Sequence, residues 1–438
     1  MILSQIDEKI EEQEGLKRDA CLWVYNYDFE FELAGVLNTH RGQGPFHPWY
    51  FLNRSWHVLL PLATANDLML VYEKPSPQVS EVLGELLGYL PGFVTLEPKR
   101  ESNSVFDDLE GSVAHLKRLG VGDVCPWGWS PKAVLFARLI GTVGEGRGKA
   151  EIFRWVNSKE TSHNLREKYL PPSCRIPGQT IHPVDLKQGE VESIITRFQQ
   201  QHGPLFVKHL FGSAGKLADY CEGSGYTARK TRKWQSWVRS AGGIVLEQVV
   251  SIKQEWSVQV EIEFDGSVRP IALTRLFSSP GGNYLGTMIV DEDQQQLNSH
   301  MERLSPVLED IIRAGYYGPL GVDLIETTGG EFKLLEINGR LTMGRVAFEW
   351  HRGVPGMGAS LFSNLFMKGN RFQDRQFLLN RISVMSHSGA CRSTLLNLVP
   401  DPSGKGVLVS LLIQADEPDR LWGLLDDCKQ AVKKELDR

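Results

Sequence analysis

Two apolar runs with four residues between them constrain this chain more than any other feature. LGVDLIE (residues 320–326) and EFKLLEIN (residues 331–338) read as strands, and the Thr-Thr-Gly-Gly between them is turn chemistry. They must fold back on each other as a hairpin. Side chains alternate along a strand, so Glu336 and Asn338 share a face. Asp323, on the partner strand, can face the same place. The apolar residues of LLEIN bury the strand around this polar pair. Three hard oxygen donors from one hairpin suit Mg²⁺, which takes a few carboxylates together with water and phosphate oxygens. A solvated strand edge with incidental acids is the competing reading.

The rest of the chain fits a cytoplasmic, multidomain α/β protein. Its 438 residues are 41% hydrophobic and 23% charged, with a net charge of −5. That balance argues against a broad nucleic-acid or membrane-surface footprint. No run approaches the ~18 apolar residues of a membrane span, and MILSQIDEKIEEQEG has no signal-peptide core. Cys21, Cys125, Cys174, Cys221, Cys391 and Cys428 are scattered without a CxxC pair, which predicts reduced, mostly buried thiols.

Strands alternate with helices over the first 130 or so residues, a small α/β unit. ACLWVYNYDF, NDLMLVYEK and GFVTLE are its strands, SEVLGELLGYL a helix, and PWGWSP a candidate junction. Asn157 followed by Glu160 predicts a capped helix to about Tyr169. EWSVQVEIEFDG alternates with a period of two, a half-buried antiparallel strand ending in an Asp-Gly turn. Leu297, Met301, Leu304, Leu308 and Ile311 mark an amphipathic helix that stops at Gly315. A hairpin and a final helix from about Pro418 make up the tail.

FVKHLFGSAGKL places Lys208 at a strand end before a small-residue loop, an arrangement whose backbone N–H groups can wrap phosphates. It is not a Walker A loop, because Leu210 and Leu217 stand where Gly and Ser or Thr are required. His47, His57 and His351 have no ligand-like spacing.

Taken in order, Lys159 before a helix, Lys208 before the glycine loop, Glu247, Glu255, Asp323, Glu336 and Asn338 resemble the ATP-grasp superfamily over residues 157–350. The resemblance implies an α/β (α+β ATP-grasp) fold. Residues 1–156 would form the preceding α/β domain, 157–245 the first subdomain with its glycine lid, 246–370 the second with the magnesium site, and 371–438 a small β/α domain. It also implies ATP and one or two Mg²⁺ as cofactors. Lys159, Lys208, Gly212, Ser213 and Gly215 would meet the phosphates. Glu247, Gln248 and Val250 would line the adenine, and Glu255 the ribose. Asp323, Glu336 and Asn338 would hold the metal. Gly321 stands where many D-alanine–D-alanine-ligase-like members carry an arginine, so oxyanion stabilisation falls to Arg275, Arg340 or Arg345. Arg340, in Glu-x-Asn-x-Arg, resembles the catalytic arginine of the biotin-carboxylase-like branch. The implied activity is an ADP-forming ligase that makes an acyl phosphate from a small carboxylate and passes it to an amine or similar nucleophile, giving an amino-acid or peptide-like product. A phosphotransferase on the same fold and a non-catalytic ATP-binding module are the rival readings.

Overall fold

The computed structural model describes residues 20–35, 53–97, 104–141, 150–185, 190–212, 217–223, 226–279, 284–354, 357–368, 385–388, 391–400 and 406–436. The N-terminal amphipathic segment, the aromatic loop from residue 40 to 52 and most of GTVGEGRG lie outside these residues.

Three sheets organise the chain. The first is parallel, in the order β3-β2-β1-β4, from β1 (Ala20–Val24), β2 (Leu68–Val71), β3 (Gly92–Thr95) and β4 (Val121–Pro126). Strands flanked by helices read as continuous apolar runs, and all four residues of Leu-Met-Leu-Val in β2 are buried. PWGWSP is a turn within this unit, not a junction. Its Ser130 Oγ accepts from Ala133 N and caps the helix Pro131–Ile140, with proline at the first position and Gly141 closing it at φ 90°.

Six reduced thiols were expected, but Cys21 and Cys125 form a disulfide across β1 and β4, 104 residues apart in sequence. Parallel pairing sets Cys21 opposite Asp123 and Trp23 opposite Cys125, so the two cysteines are diagonal neighbours on one face. Spacing along the chain hides such a pair.

The second sheet is antiparallel, in the order β5-β8-β6-β7, from β5 (Gly178–Ile181), β6 (Leu205–His209), β7 (Ala218–Cys221) and β8 (Ile244–Gln248). Trp234 and Val238 of the helix Ala228–Ala241 and Ile195 and Phe198 of the helix Glu190–His202 cover one face.

The third sheet has nine strands, β13-β12-β9-β10-β11-β14-β17-β16-β15. Its strands are β9 (Ile252–Ile262), β10 (Val268–Ser278), β11 (Tyr284–Val290), β12 (Gly318–Thr327), β13 (Phe332–Asn338), β14 (Ala359–Lys368), β15 (Met385–Ser388), β16 (Cys391–Pro400) and β17 (Gly406–Ala415). The tail is therefore not a separate sheet, since β14 pairs directly with β17. Helix Leu297–Arg313 packs Leu304, Val307, Leu308 and Ile311 against Val258 and Val322 on one face, and Gly315 ends it at φ 88°. Helix Met343–Gly353 covers the other face, where Gly344 comes so close that a Cβ there would lie 2.4 Å from Gln259 Nε2. That contact corrects the expectation for β9: its polar residue Gln259 is buried, not solvated. The first sheet's unit packs on the tail, where His57 Nδ1 lies 2.9 Å from Asn397 Nδ2. Among the described residues no helix is long and apolar enough to cross a membrane.

Candidate active site

The hairpin forms with Asp323 directly opposite Glu336 and Gly321 opposite Asn338. Ser257 of β9 faces Asp323 from the other side. Asp323 accepts from Ser257 Oγ at 2.6 Å and from Asn338 Nδ2 at 3.0 Å. Burial lifts its carboxyl to about 7; the Ser257 hydroxyl opposes this and the charge of Glu336 adds to it. Ser257 accepts in turn from Gln259 Nε2 at 2.7 Å, and Gln259 Oε1 accepts from Thr342 Oγ1 at 2.6 Å. Gly321 has a steric reason: a Cβ there would lie 2.6 Å from Thr342 Cγ2, so the position has no room for an arginine.

Opposite these acids stand the two lysines. The helix Lys159–Tyr169 is capped by Ser158, whose Oγ accepts from Glu160 N, and not by Asn157. Asn157 Nδ2 instead donates to Phe153 O and Gly339 O, tying the helix start to the end of β13. Lys159 Nζ donates to Gly212 O at 2.6 Å and to Glu336 Oε1 at 2.7 Å. Burial alone would lower its pKa, but Glu336 and Glu30 hold it above the usual lysine value. Lys208, at the end of β6, is ion-paired with Glu247 Oε2. Glu247 Oε1 receives two N–H groups of Arg166, each at 3.0 Å. Burial works against this carboxylate's charge, yet Lys208 and Arg166 outweigh it and hold the group at about 2. Gln248 N donates to Pro177 O, and Val250 follows in the partly exposed stretch after β8. Ser278 Oγ donates to Glu255 Oε2 at 2.8 Å, against a burial that raises the Glu255 carboxyl. Gly212 is described, while Ser213 and Gly215 lie outside the described residues.

None of the three arginines expected to meet the reacting charge holds out an open guanidinium fork. Arg275 pairs in register with Trp256, which belongs to the core under helix Leu297–Arg313, so it lies on the face away from Asp323. There it binds Asp293 through Nε at 2.6 Å and Nη2 at 2.7 Å. Arg345 bridges Glu261 at 2.9 Å and Glu349 at 2.8 Å. Arg340 does reach the face of Asp323 and Asn338, donating to Asn338 Oδ1 at 3.1 Å, but its Nε donates to Glu30 Oε1 at 2.8 Å. The strand ends at Asn338, and a turn with Arg340 N donating to Asn338 O brings the side chain back.

Arg166, Ser257, Gln259, Thr342 and Glu30 were not singled out from the sequence. Arg166 sits seven residues after Lys159 with no motif around it. Glu30 is 310 residues from its partner, beyond any local signal.

A parallel N-terminal sheet, a four-stranded antiparallel sheet carrying a lysine and a glycine loop, and a large antiparallel sheet carrying the acids together make the ATP-grasp fold. Solved ATP-grasp structures share it over almost the whole chain. An N5-carboxyaminoimidazole ribonucleotide synthetase, solved as its ADP complex, matches at TM-score 0.53 and 13% identity, over 97% of this chain and 99% of that one. The biotin carboxylase domain of the Hydrogenobacter thermophilus 2-oxoglutarate carboxylase, solved with MgADP, ADP and bicarbonate, matches at 0.54 and 13%, over 91% and 87%. An L-amino acid ligase from Bacillus licheniformis matches at 0.50 and 12%, over 95% and 98%. At these identities the likeness establishes the fold. No protein-family model and no curated protein matches the sequence.

Proposed function

We propose that this chain is an ATP- and Mg²⁺-dependent, ADP-forming ligase that activates a carboxylate as its acyl phosphate and passes the acyl group to an amine. The observation that supports this most is Lys159 Nζ bonded to Glu336 Oε1 at 2.7 Å, beside Asp323 and Asn338, within an ATP-grasp fold. Lys208 and Glu247 form a second such pair across the same cleft.

Among the described residues no three His, Cys, Asp or Glu side chains gather as a metal-binding group. The candidate set is two carboxylates and an amide. Its chemistry fits Mg²⁺: the oxygens are hard donors, and burial with the nearby Glu336 charge raises the cost of ionising Asp323, which a divalent cation relieves. Asp323, Glu336 and Asn338 would hold one or two ions. The bound ion supplies Lewis-acid neutralisation of phosphate oxygens.

Lys159 and Lys208 would turn from Glu336 and Glu247 to the phosphates, as compact ammonium charges can. Gly212 would border the same phosphates, with Ser213 and Gly215 beyond it. Glu247, Gln248 and Val250 would line the adenine, and Glu255 would accept from the ribose. In the reaction a carboxylate oxygen attacks the γ-phosphorus as the bond to ADP breaks. The amine nitrogen then attacks the acyl carbon, phosphate leaves, and the nitrogen gives up a proton. Negative charge grows on the transferring oxygens, and the two lysines would neutralise it.

The test is ADP release across a panel of carboxylates, with and without amines. Release that requires both substrates, with inorganic phosphate formed in equal amount, supports the ligase. A phosphorylated hydroxyl and no inorganic phosphate would make the protein a kinase. No turnover with any pair, while ATP binds, would make it a binding module.

A further inference from the structure

Asn338 is the metal-ligand candidate with two chemically different ends, and the chain must decide which end faces where. Its Nδ2 donates to Asp323 Oδ2 at 3.0 Å, and its Oδ1 accepts from Arg340 Nη2 at 3.1 Å. Arginine has only donors, so Arg340 fixes the oxygen end on its own side. What fixes Arg340 comes from the first sheet's unit. Glu30, in the short helix Phe29–Leu33, accepts from Arg340 Nε at 2.8 Å and lies 2.7 Å from Nη2. Arg340 Nη1 donates to Leu341 O at 3.0 Å, and the rings of Phe29 and Trp127 flank the guanidinium at 5.9 and 5.6 Å. The side chains of Arg340 and Glu30 are 10% and 8% exposed.

Within reach of the same guanidinium's field lie Glu336 and Asp323. A buried arginine without its carboxylate partner seeks another. Asp323, bonded to the same Asn338 side chain, and Glu336, opposite it in the hairpin, offer such partners, and an arginine settled on them competes directly with a cation.

We propose that Glu30 is a positioning residue for the reaction: it anchors Arg340 away from Asp323 and Glu336 and so keeps both carboxylates available to Mg²⁺. This rests on the magnesium-dependent ligase reading above. The N-terminal unit thereby shapes the metal site without touching the metal.

The experiment uses the full chain with Mn²⁺ as the probe, titrated in the presence of ADP and followed by the electron-spin resonance of free Mn²⁺. Wild type binds Mn²⁺ and Glu336→Gln does not. Glu30→Gln is expected to weaken Mn²⁺ by about tenfold or more, the scale of losing an outer-shell partner. Adding Arg340→Gln to Glu30→Gln then recovers affinity, because the competing charge is gone; a merely structural role predicts further loss. If Glu30→Gln does not fold, Glu30→Asp replaces it, keeping the charge but shortening the reach, and weaker Mn²⁺ is again expected. Wild-type affinity in the Glu30 variant, or a double variant weaker than Glu30→Gln, overturns the inference while leaving the metal site intact. Failure of wild type itself to bind Mn²⁺ overturns the metal reading and the inference with it.

Discussion

At the scale of single residues the cleft is a set of ion pairs between its acids and its lysines. Glu336 holds Lys159 and Glu247 holds Lys208. Glu336→Gln keeps the shape but removes the carboxylate proposed to bind Mg²⁺, so turnover should vanish while the unfolding midpoint moves little; ADP release and thermal unfolding, measured side by side, check this. Wild-type turnover in that variant would remove Glu336 from the metal site. Arg166 is the opposite case, fully buried and bound twice to Glu247. Arg166→Met strands that carboxylate and should destabilise the fold by about 3–5 kcal/mol in denaturant unfolding. A change below the reach of such a measurement would show that Lys208 alone compensates Glu247.

Elements carry the titration behaviour. Burial lifts Asp28 to about 6 despite its bond from Asn53, and lifts Glu32 to about 7 despite Ser130. Asp28 precedes and Glu32 lies within the same short helix, and Asp323 in the hairpin stands at about 7. Carboxyls held above their unfolded values stabilise the fold in protonated form, and that contribution is lost as pH rises through the folded values. Glu247 works the other way, but only as pH falls through its ordinary range toward about 2. Buried His209 and His300, lowered to about 4, oppose this over the same interval, but the three raised carboxyls outweigh them, so the metal-free protein should unfold at a higher temperature near pH 5 than near pH 8. A midpoint that climbs over that interval would contradict these assignments. The disulfide between β1 and β4 closes a 104-residue loop. Cys21→Ser, compared with the oxidised protein, should cost about 2–4 kcal/mol, read from denaturant unfolding. What the sequence disclosed follows from the same distinction between near and far. The hairpin was legible because its register is set by a four-residue turn and period-two alternation, and so were the helix Leu297–Arg313 and the strand β9. The partners of Arg340, Glu247 and Cys21 were not, because each is assembled by packing of segments far apart in the chain. Arg275 shows the same limit: the face it takes on β10 depends on two neighbouring strands.

For the whole molecule, three sheets bring one lysine from the start of a helix, one from the four-stranded sheet and the acids from the nine-stranded sheet to one cleft. The N-terminal unit closes on it through Glu30, and Leu341 N donates to Trp127 O at 3.2 Å to hold the two together. The proposed ligase makes an acyl phosphate in this cleft. The measurement that tests it most directly uses ¹⁸O in both carboxylate oxygens of an accepted substrate, with amine, ATP and Mg²⁺ present, and mass analysis of the inorganic phosphate released. Attack of the carboxylate on the γ-phosphorus, followed by amine capture at carbon, leaves one labelled oxygen in each phosphate. Phosphate released without label, while amide product accumulates, would contradict the account.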